Sequence, residues 1–183
     1  MNPLADLIAR FQELVAQVPE IIQPFIIMFA AAIPFIEGEV GALIGVVGGV
    51  NPFVAAAAAL IGNVASVVGV VAVSSRAREF AVARRHDRAP SGAASTVLTA
   101  ERPEPQKPQS KGRERFARWV VRFGVPGASI LGPLAIPTQF MSAMLVAGGT
   151  PKGWVLLWQG VSIFFWTTLS TVLAWLALAT FGV

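Results

Sequence analysis

Residues 32–39 read AIPFIEGE and interrupt an otherwise apolar stretch with one proline and two glutamates. Between residues 21 and 75, Glu37 and Glu39 are the only ionisable side chains. Because Pro34 and the acidic pair disfavour one continuous apolar helix, residues 21–50 are expected to form two helical arms with a break between them.

The composition of the whole chain indicates an integral membrane protein. It has 183 residues, of which 55% are hydrophobic and 13% are charged, and its mean hydropathy is +0.66. Residues 123–183 contain Lys152 as their only ionisable side chain, so a second long stretch is also apolar enough for lipid. Cysteine is absent and His86 is the single histidine, so we expect no metal site, no cofactor and no enzymatic activity.

The broken stretch fits a re-entrant hairpin better than a membrane span. Each arm would be about 18 to 21 Å long at helical rise, too short for a hydrocarbon core of about 30 Å. Irregular backbone is tolerated at membrane depth only where protein or a water-filled cavity surrounds it. We therefore predict a hairpin over residues 21–50 whose tip is enclosed.

An amphipathic helix precedes this hairpin, with apolar residues at helical spacing from Leu4 to Val18. We expect it to lie in the membrane interface, and packing on a soluble partner is the alternative. Its acidic residues outnumber Arg10, whereas a secretory leader begins with basic residues, so we expect no signal-peptide cleavage.

The remaining elements follow from charge-free stretches and from proline-rich punctuation. Residues 53–73 are predicted to form a full transmembrane helix that extends into the cytoplasm as far as residue 85. A disordered linker is predicted over residues 86–112, then an amphipathic helix over 113–123, a second hairpin over 125–149 and a second transmembrane helix over 154–181.

The same order of elements therefore occurs twice, in residues 1–85 and in residues 113–183. Pro133 lies 99 residues after Pro34, and the same offset relates four further identical or similar pairs without a gap. We interpret the chain as an all-α membrane protein built from two repeats. Each repeat would contain an interfacial amphipathic helix, a re-entrant hairpin and a transmembrane helix.

The basic residues give the orientation. Twelve of the 14 Lys and Arg residues lie between Arg76 and Arg122, so this central loop is predicted to be cytoplasmic and both termini external. The two hairpins then enter from opposite sides, as in an inverted repeat. The basic loop needs no nucleic-acid partner. The glycines of the second arm are explained better by close packing of helices than by dimerisation, and a homo-oligomer is an open alternative.

The candidate site lies where the two hairpin tips would meet. An ionised pair of glutamates at mid-depth would cost on the order of several kcal/mol, so a proton or a cationic substrate would neutralise it. The alternative is that both glutamates lie among headgroups at the end of a short span. The candidate residues are Pro34, Glu37, Gly38 and Glu39 in the first tip, Asn63 in the first span, and Pro133, Pro137, Thr138 and Gln139 in the second tip.

Three segments carry a resemblance to a known family: AIPFIEGE at residues 32–39, GGVNP at 48–52 and ALIGN at 59–63. The first half of the chain resembles the small multidrug export family, which is related to the DedA superfamily, and the second half resembles it mainly in architecture. The resemblance implies a bacterial inner-membrane protein that transports amphipathic compounds or lipid carriers. DedA proteins have arginines near the prolines of their second hairpin, but residues 130–144 contain none.

The sequence is compatible with three functions. The first is proton-coupled export of an amphipathic or cationic small molecule, and the second is a lipid flippase or scramblase that moves a polyprenyl phosphate or a phospholipid. The third is a non-transporting membrane assembly factor that acts through the basic linker. In every case membrane lipids are partners, and the first requires protons as well.

Overall fold

The computed structural model describes residues 3–87 and 124–181, and within these ranges the protein is helical and has no strand. The predicted linker from residue 88 onwards and the amphipathic element at 113–123 lie outside the described residues. The described elements are α1 (Pro3–Ala16), α2 (Gln23–Ala31), α3 (Glu37–Val47), α4 (Pro52–Asp87), α5 (described over 124–131), a 3-10 turn (Gly132–Leu134), α6 (Thr138–Ala147) and α7 (Lys152–Phe181).

Two of the described helices, α4 and α7, are long and apolar enough to cross a membrane. Their qualifying segments are Pro52–Arg84 and Lys152–Thr180. Only 39% and 28% of their most apolar windows are buried, whereas the core helix of a soluble protein would be mostly buried. Most of this apolar surface therefore faces outward.

Helices α4 and α7 pack against each other in opposite directions. Ala55, near the start of α4, belongs to a buried cluster with Ala174, near the end of α7. Val71, farther along α4, belongs to a second cluster with Val155 at the start of α7. We call the two ends of this pair the Pro52 end and the Arg78 end.

Helices α2 and α3 form a pair whose outer ends both lie at the Pro52 end. The side chain of Gln23, at the start of α2, donates to the Val18 carbonyl just beyond α1 (2.9 Å), and Gln12 of α1 donates to the Val47 carbonyl at the end of α3 (3.1 Å). The connection between α2 and α3 lies halfway along α4, where the Ser66 hydroxyl donates to the Ala32 carbonyl (3.0 Å).

Helices α5 and α6 lie at the Arg78 end, and the connection between them reaches the same position halfway along α4 as the α2–α3 connection. The last turn of α5 is held to the middle of α7, because Ser162 donates to the Ser129 carbonyl (2.8 Å) and the Trp166 indole donates to the Ile130 carbonyl (2.8 Å). Helix α6 then runs back and ends beside Arg78. The breaks expected near Pro34 and near Pro133 and Pro137 are thus present, at residues 32–36 and 132–137.

Helices α3 and α6 end with the same hydrogen bonds. The Gly49 amide donates to the Val46 carbonyl and the Gly149 amide to the Val146 carbonyl, both at 3.0 Å, and both glycines have positive φ (86° and 96°). The ends of α3 and α6 therefore correspond at an offset of 100 residues, and the expected offset of 99 does not hold for these two helix ends. Each segment has two consecutive glycines, at 48–49 and 148–149, so the sequence alone allows an offset of 99 or of 100 residues. The hydrogen bonds distinguish the two offsets.

Replacing Gly62 by alanine is expected to destabilise the packing of α2 on α4. A Cβ at Gly62 would lie 1.9 Å from the Met28 carbonyl oxygen, and a backbone atom cannot move aside as a side-chain end can. We expect a loss of about 1 to 3 kcal/mol, measured as a lower thermal midpoint in detergent. Gly69→Ala is the control, because open space surrounds Gly69, and it should leave the midpoint unchanged or raise it. Equal midpoints for the two variants would contradict the packing.

Candidate functional site

The first break is a strained turn that directs Glu37 inward. Phe35 and Glu37 have φ values of 75° and 53°, and they are the only described residues other than glycine with positive φ. This conformation is unfavourable for residues with a Cβ and is concentrated at functional sites. Glu37 is the first residue of α3, and its side chain is only 5% exposed.

The second break presents polar side chains at the start of α6. Pro137 immediately precedes α6 and has φ −52° and ψ 143°. This extended conformation separates α6 from the 3-10 turn and lets the chain change direction between them. Thr138 and Gln139 are the first two residues of α6, and their side chains are 0% and 3% exposed. Both residue types carry hydrogen-bonding groups, so their burial requires partners.

The two breaks meet at one carboxylate oxygen. The Thr138 backbone amide and the Thr138 hydroxyl both donate to Glu37 Oε1. The predicted approach of the two tips is therefore confirmed as a contact between residues 101 positions apart. This contact joins the start of α3 to the start of α6.

Side chains from α4 extend the polar cluster. Gln139 Nε2 donates to Asn63 Oδ1 (3.3 Å) and to the Ser66 hydroxyl (3.4 Å), and Thr138 Oγ1 lies 3.2 Å from Asn63 Oδ1. Thr138 has one hydroxyl hydrogen, which can serve only one acceptor at a time. Asn63 is fully buried, and its Nδ2 has no hydrogen-bond partner in the described part of the chain. The cluster therefore has an unused donor as well as competing acceptors.

No basic side chain is paired with Glu37 among the described residues, and the nearby acidic Glu39 interacts with it electrostatically. Both donors to Glu37 Oε1 belong to the neutral Thr138. Lys152 is the only basic residue after Arg122, and it lies at the Arg78 end, where it lines a cavity with Ser75. Asn63 precedes Ser75 by 12 residues and follows Pro52 by 11, which places the cluster roughly 17 to 18 Å from each end of the apolar part of α4.

Glu39, the second acidic candidate, makes no hydrogen bond to Thr138 or Gln139 among the described residues. Residues two apart on a helix point to different sides. The Glu39 side chain is half-buried, and its backbone carbonyl accepts a hydrogen bond from Ser170 of α7 (2.8 Å). Pro34 and Pro133 are half-buried and shape the breaks without adding polar atoms to the cluster.

Sequence reasoning missed two residues beside the cluster. Ser66 follows Asn63 by three positions, so helical spacing could have placed both on one face of α4. Thr167 of α7 is fully buried, and its hydroxyl faces Gly38 so closely that a Cβ on Gly38 would lie 2.1 Å from Thr167 Oγ1. That close approach requires glycine at position 38, and only tertiary structure reveals it.

The polar cluster as a whole thus combines one acidic residue of α3 with neutral side chains from α4 and α6. Comparison of the chain with known protein families, with curated proteins and with solved structures finds no match. Chemically, the cluster can bind or release a proton at Glu37, and it can attract a cation.

Proposed function

We propose that this chain is a small membrane transporter whose binding site is the cluster around Glu37. The observation that supports this most strongly is the Glu37 carboxylate, buried at the junction of two helix breaks and hydrogen-bonded by Thr138 of the opposite helix pair. Discontinuous helices that meet near the membrane centre are a common way to build a transport site.

Membrane insertion and an inverted repeat are parts of this proposal. Helices α4 and α7 have the length and hydropathy of spans, and most of their apolar surface faces outward. The α2–α3 pair contacts one end of α4 and the α5–α6 pair contacts the other, as expected for re-entrant hairpins that enter from opposite sides. The cluster would then lie close to the middle of the bilayer.

Proton coupling follows from the charge environment of Glu37. An ionised carboxylate without a cationic neighbour is unfavourable in a low-dielectric region, so the site favours a proton or a positively charged substrate. Exchange of one for the other would couple proton movement to export. The substrate would be amphipathic, because it must pass the apolar surfaces that surround the cluster.

A proteoliposome assay tests the proposal. Purified protein should move protons when a gradient of a lipophilic cation is imposed, and protein-free liposomes should not. Equal proton fluxes with and without protein would overturn proton-coupled export.

A lipid flippase or scramblase is the second candidate, because the same cluster and apolar surfaces could pass a lipid headgroup. Residues 124–149 contain no basic side chain, which disfavours selection of a phosphate within the α5–α6 pair. Transfer of a fluorescent phospholipid between leaflets, without proton movement, would favour this candidate. A non-transporting assembly factor that acts through the linker should lose its function when residues 88–110 are deleted, whereas a transporter should retain transport.

The orientation gives a separate prediction. Because basic residues concentrate between the two spans, a cysteine that replaces Ser95 should be cytoplasmic. The natural chain has no cysteine, so a single introduced thiol gives an unambiguous signal. An impermeant thiol reagent should label it only after the cells are opened. Labelling in intact cells would reverse the orientation.

A further inference from the structure

A cavity of about 300 Å³ lies at the Arg78 end, where α4, the end of α6 and the start of α7 meet. The ionisable residues in its lining are Arg78 and Glu79 of α4 and Lys152 of α7. Ser75 and Thr150 add hydroxyl groups. None of these side chains belongs to the cluster around Glu37, so the cavity is a second candidate site.

Gly149 sets the position of the Arg78 side chain. A Cβ on Gly149 would lie 3.2 Å from Arg78 Nη2, so the guanidinium group lies against the Gly149 backbone at the end of α6. The φ of Gly149 is +96°, which also favours glycine. The end of α6 therefore leaves room for Arg78 to extend across to the cavity wall opposite its own helix.

The charge of this cavity distinguishes it from the matching cavity at the Pro52 end. The cavity at the Pro52 end has a volume of about 630 Å³ and lies beside the end of α3. The cavity at the Arg78 end lies beside the end of α6 in the same way. Among the residues that the structure describes, the only ionisable residue lining the cavity at the Pro52 end is Glu20, and its other polar side chains are Gln12, Gln23 and Asn51. Two basic residues and one acidic residue line the smaller cavity, so it alone is suited to an anion.

The depth of the cavity points to a lipid headgroup. Val73 ends the apolar part of α4, and Ser75 lines the cavity two residues later. Trp154 and Trp158, whose rings contact edge to face at a centroid distance of 5.8 Å, lie on the first turns of α7. Tryptophan is enriched where the bilayer meets water, and basic pockets between helices at that level bind lipid phosphates.

We propose that Arg78 and Lys152 hold the phosphate of an anionic phospholipid in this cavity. The guanidinium and ammonium groups both contact phosphate oxygens, and the acyl chains lie along the exposed apolar surfaces of α4 and α7. Free inorganic phosphate shares the headgroup chemistry. The proposal rests on the membrane insertion proposed above, but it does not require transport at Glu37.

The test compares two double variants with the same change in charge. Arg78→Gln/Lys152→Gln removes both basic residues of the cavity, whereas Arg76→Gln/Arg84→Gln removes two exposed arginines of α4 that do not line it. Full-length protein is purified in micelles that contain phosphatidylglycerol and phosphatidylcholine, and retained lipids are counted by native mass spectrometry. Because each basic residue near an anionic surface strengthens lipid binding about fivefold, we expect a roughly 30-fold weaker retention of phosphatidylglycerol in the cavity variant alone.

Inorganic phosphate in a parallel titration distinguishes the two sources. Displacement of phosphatidylglycerol only by other anionic lipids supports a lipid site, whereas displacement by millimolar phosphate in wild type, lost in the cavity variant, assigns the site to phosphate itself. Equal retention of phosphatidylglycerol by wild type and the cavity variant would overturn the proposal. An equal loss in the two double variants would also overturn it, because general surface charge would then explain the binding. Transport assays play no part in either outcome.

Discussion

Glu37→Gln is expected to abolish pH-dependent transport and to leave the protein as stable as the wild type, or more stable. Glutamine keeps the shape of the side chain, and its carbonyl oxygen can still accept both hydrogen bonds from Thr138. It cannot gain or lose a proton. Because the carboxylate is buried and no described basic side chain pairs with it, removal of its charge relieves a cost of burial. Proteoliposome flux across a range of pH and thermal midpoints in detergent measure the two effects.

Two further glutamines serve as controls for this prediction. Glu13 lies on the exposed side of α1, so Glu13→Gln should keep the flux and its pH profile unchanged. Glu39 is half-buried and lies outside the Thr138 cluster, so Glu39→Gln should have a smaller effect than Glu37→Gln. A wild-type pH profile in Glu37→Gln would refute a proton-carrying role. If the pH profile of flux changed only in Glu39→Gln, the proton-carrying residue would be Glu39 and not Glu37.

Gly38→Ala is expected to reduce transport at least tenfold, because the start of α3 could no longer pack against α7. The new Cβ would lie 2.1 Å from Thr167 Oγ1, which forces the first turn of α3 away and moves the Glu37 carboxylate relative to Thr138. Overpacking of this kind costs about 1 to 3 kcal/mol. Flux and thermal midpoint should therefore fall together.

Thr167→Ala should rescue this variant. Thr167 Oγ1 is buried without a hydrogen-bond partner in the described residues, so its removal alone should change stability by less than about 1 kcal/mol. In the double variant the nearest remaining atom of residue 167 is Cβ, at 3.3 Å. A double-mutant cycle should show a favourable coupling. Additive effects of the two substitutions would show that Gly38 is required for a reason other than contact with Thr167.

Local sequence signals predicted the elements but not their register. Pro34, Pro133 and Pro137 indicated where the helices break, because proline restricts the backbone wherever it occurs. Charge-free stretches similarly indicated α4 and α7, although α7 begins at Lys152 and not at the predicted residue 154. The matching of the two halves differs by one residue from the sequence estimate, since consecutive glycines allow two alignments and only hydrogen bonds distinguish them.

The site was predictable to the extent that its chemistry is unusual for its surroundings. Glu37, Asn63, Thr138 and Gln139 are polar residues in apolar segments, and such residues need partners when buried. The exclusion of Glu39 was not predictable, because the direction of each glutamate depends on the positive φ at residue 37. Thr167 could not be predicted, because its contact with Gly38 depends on how α7 packs against α3. The spacing of residues within α7 carries no information about that packing.

The strained turn at Phe35 and Glu37 has a consequence for motion. Each left-handed residue costs roughly 1 to 3 kcal/mol, and the hydrogen bonds from Thr138 to the carboxylate help to hold both in place. When Glu37 takes up a proton, those bonds lose their charge-assisted strength, and the turn can unwind toward an unstrained conformation. Protonation of Glu37 would then release residues 33–37 from the strained conformation. Amide protection factors in this segment, which correct for the intrinsic pH dependence of exchange, should fall on acidification in the wild type, and they should be independent of pH in Glu37→Gln.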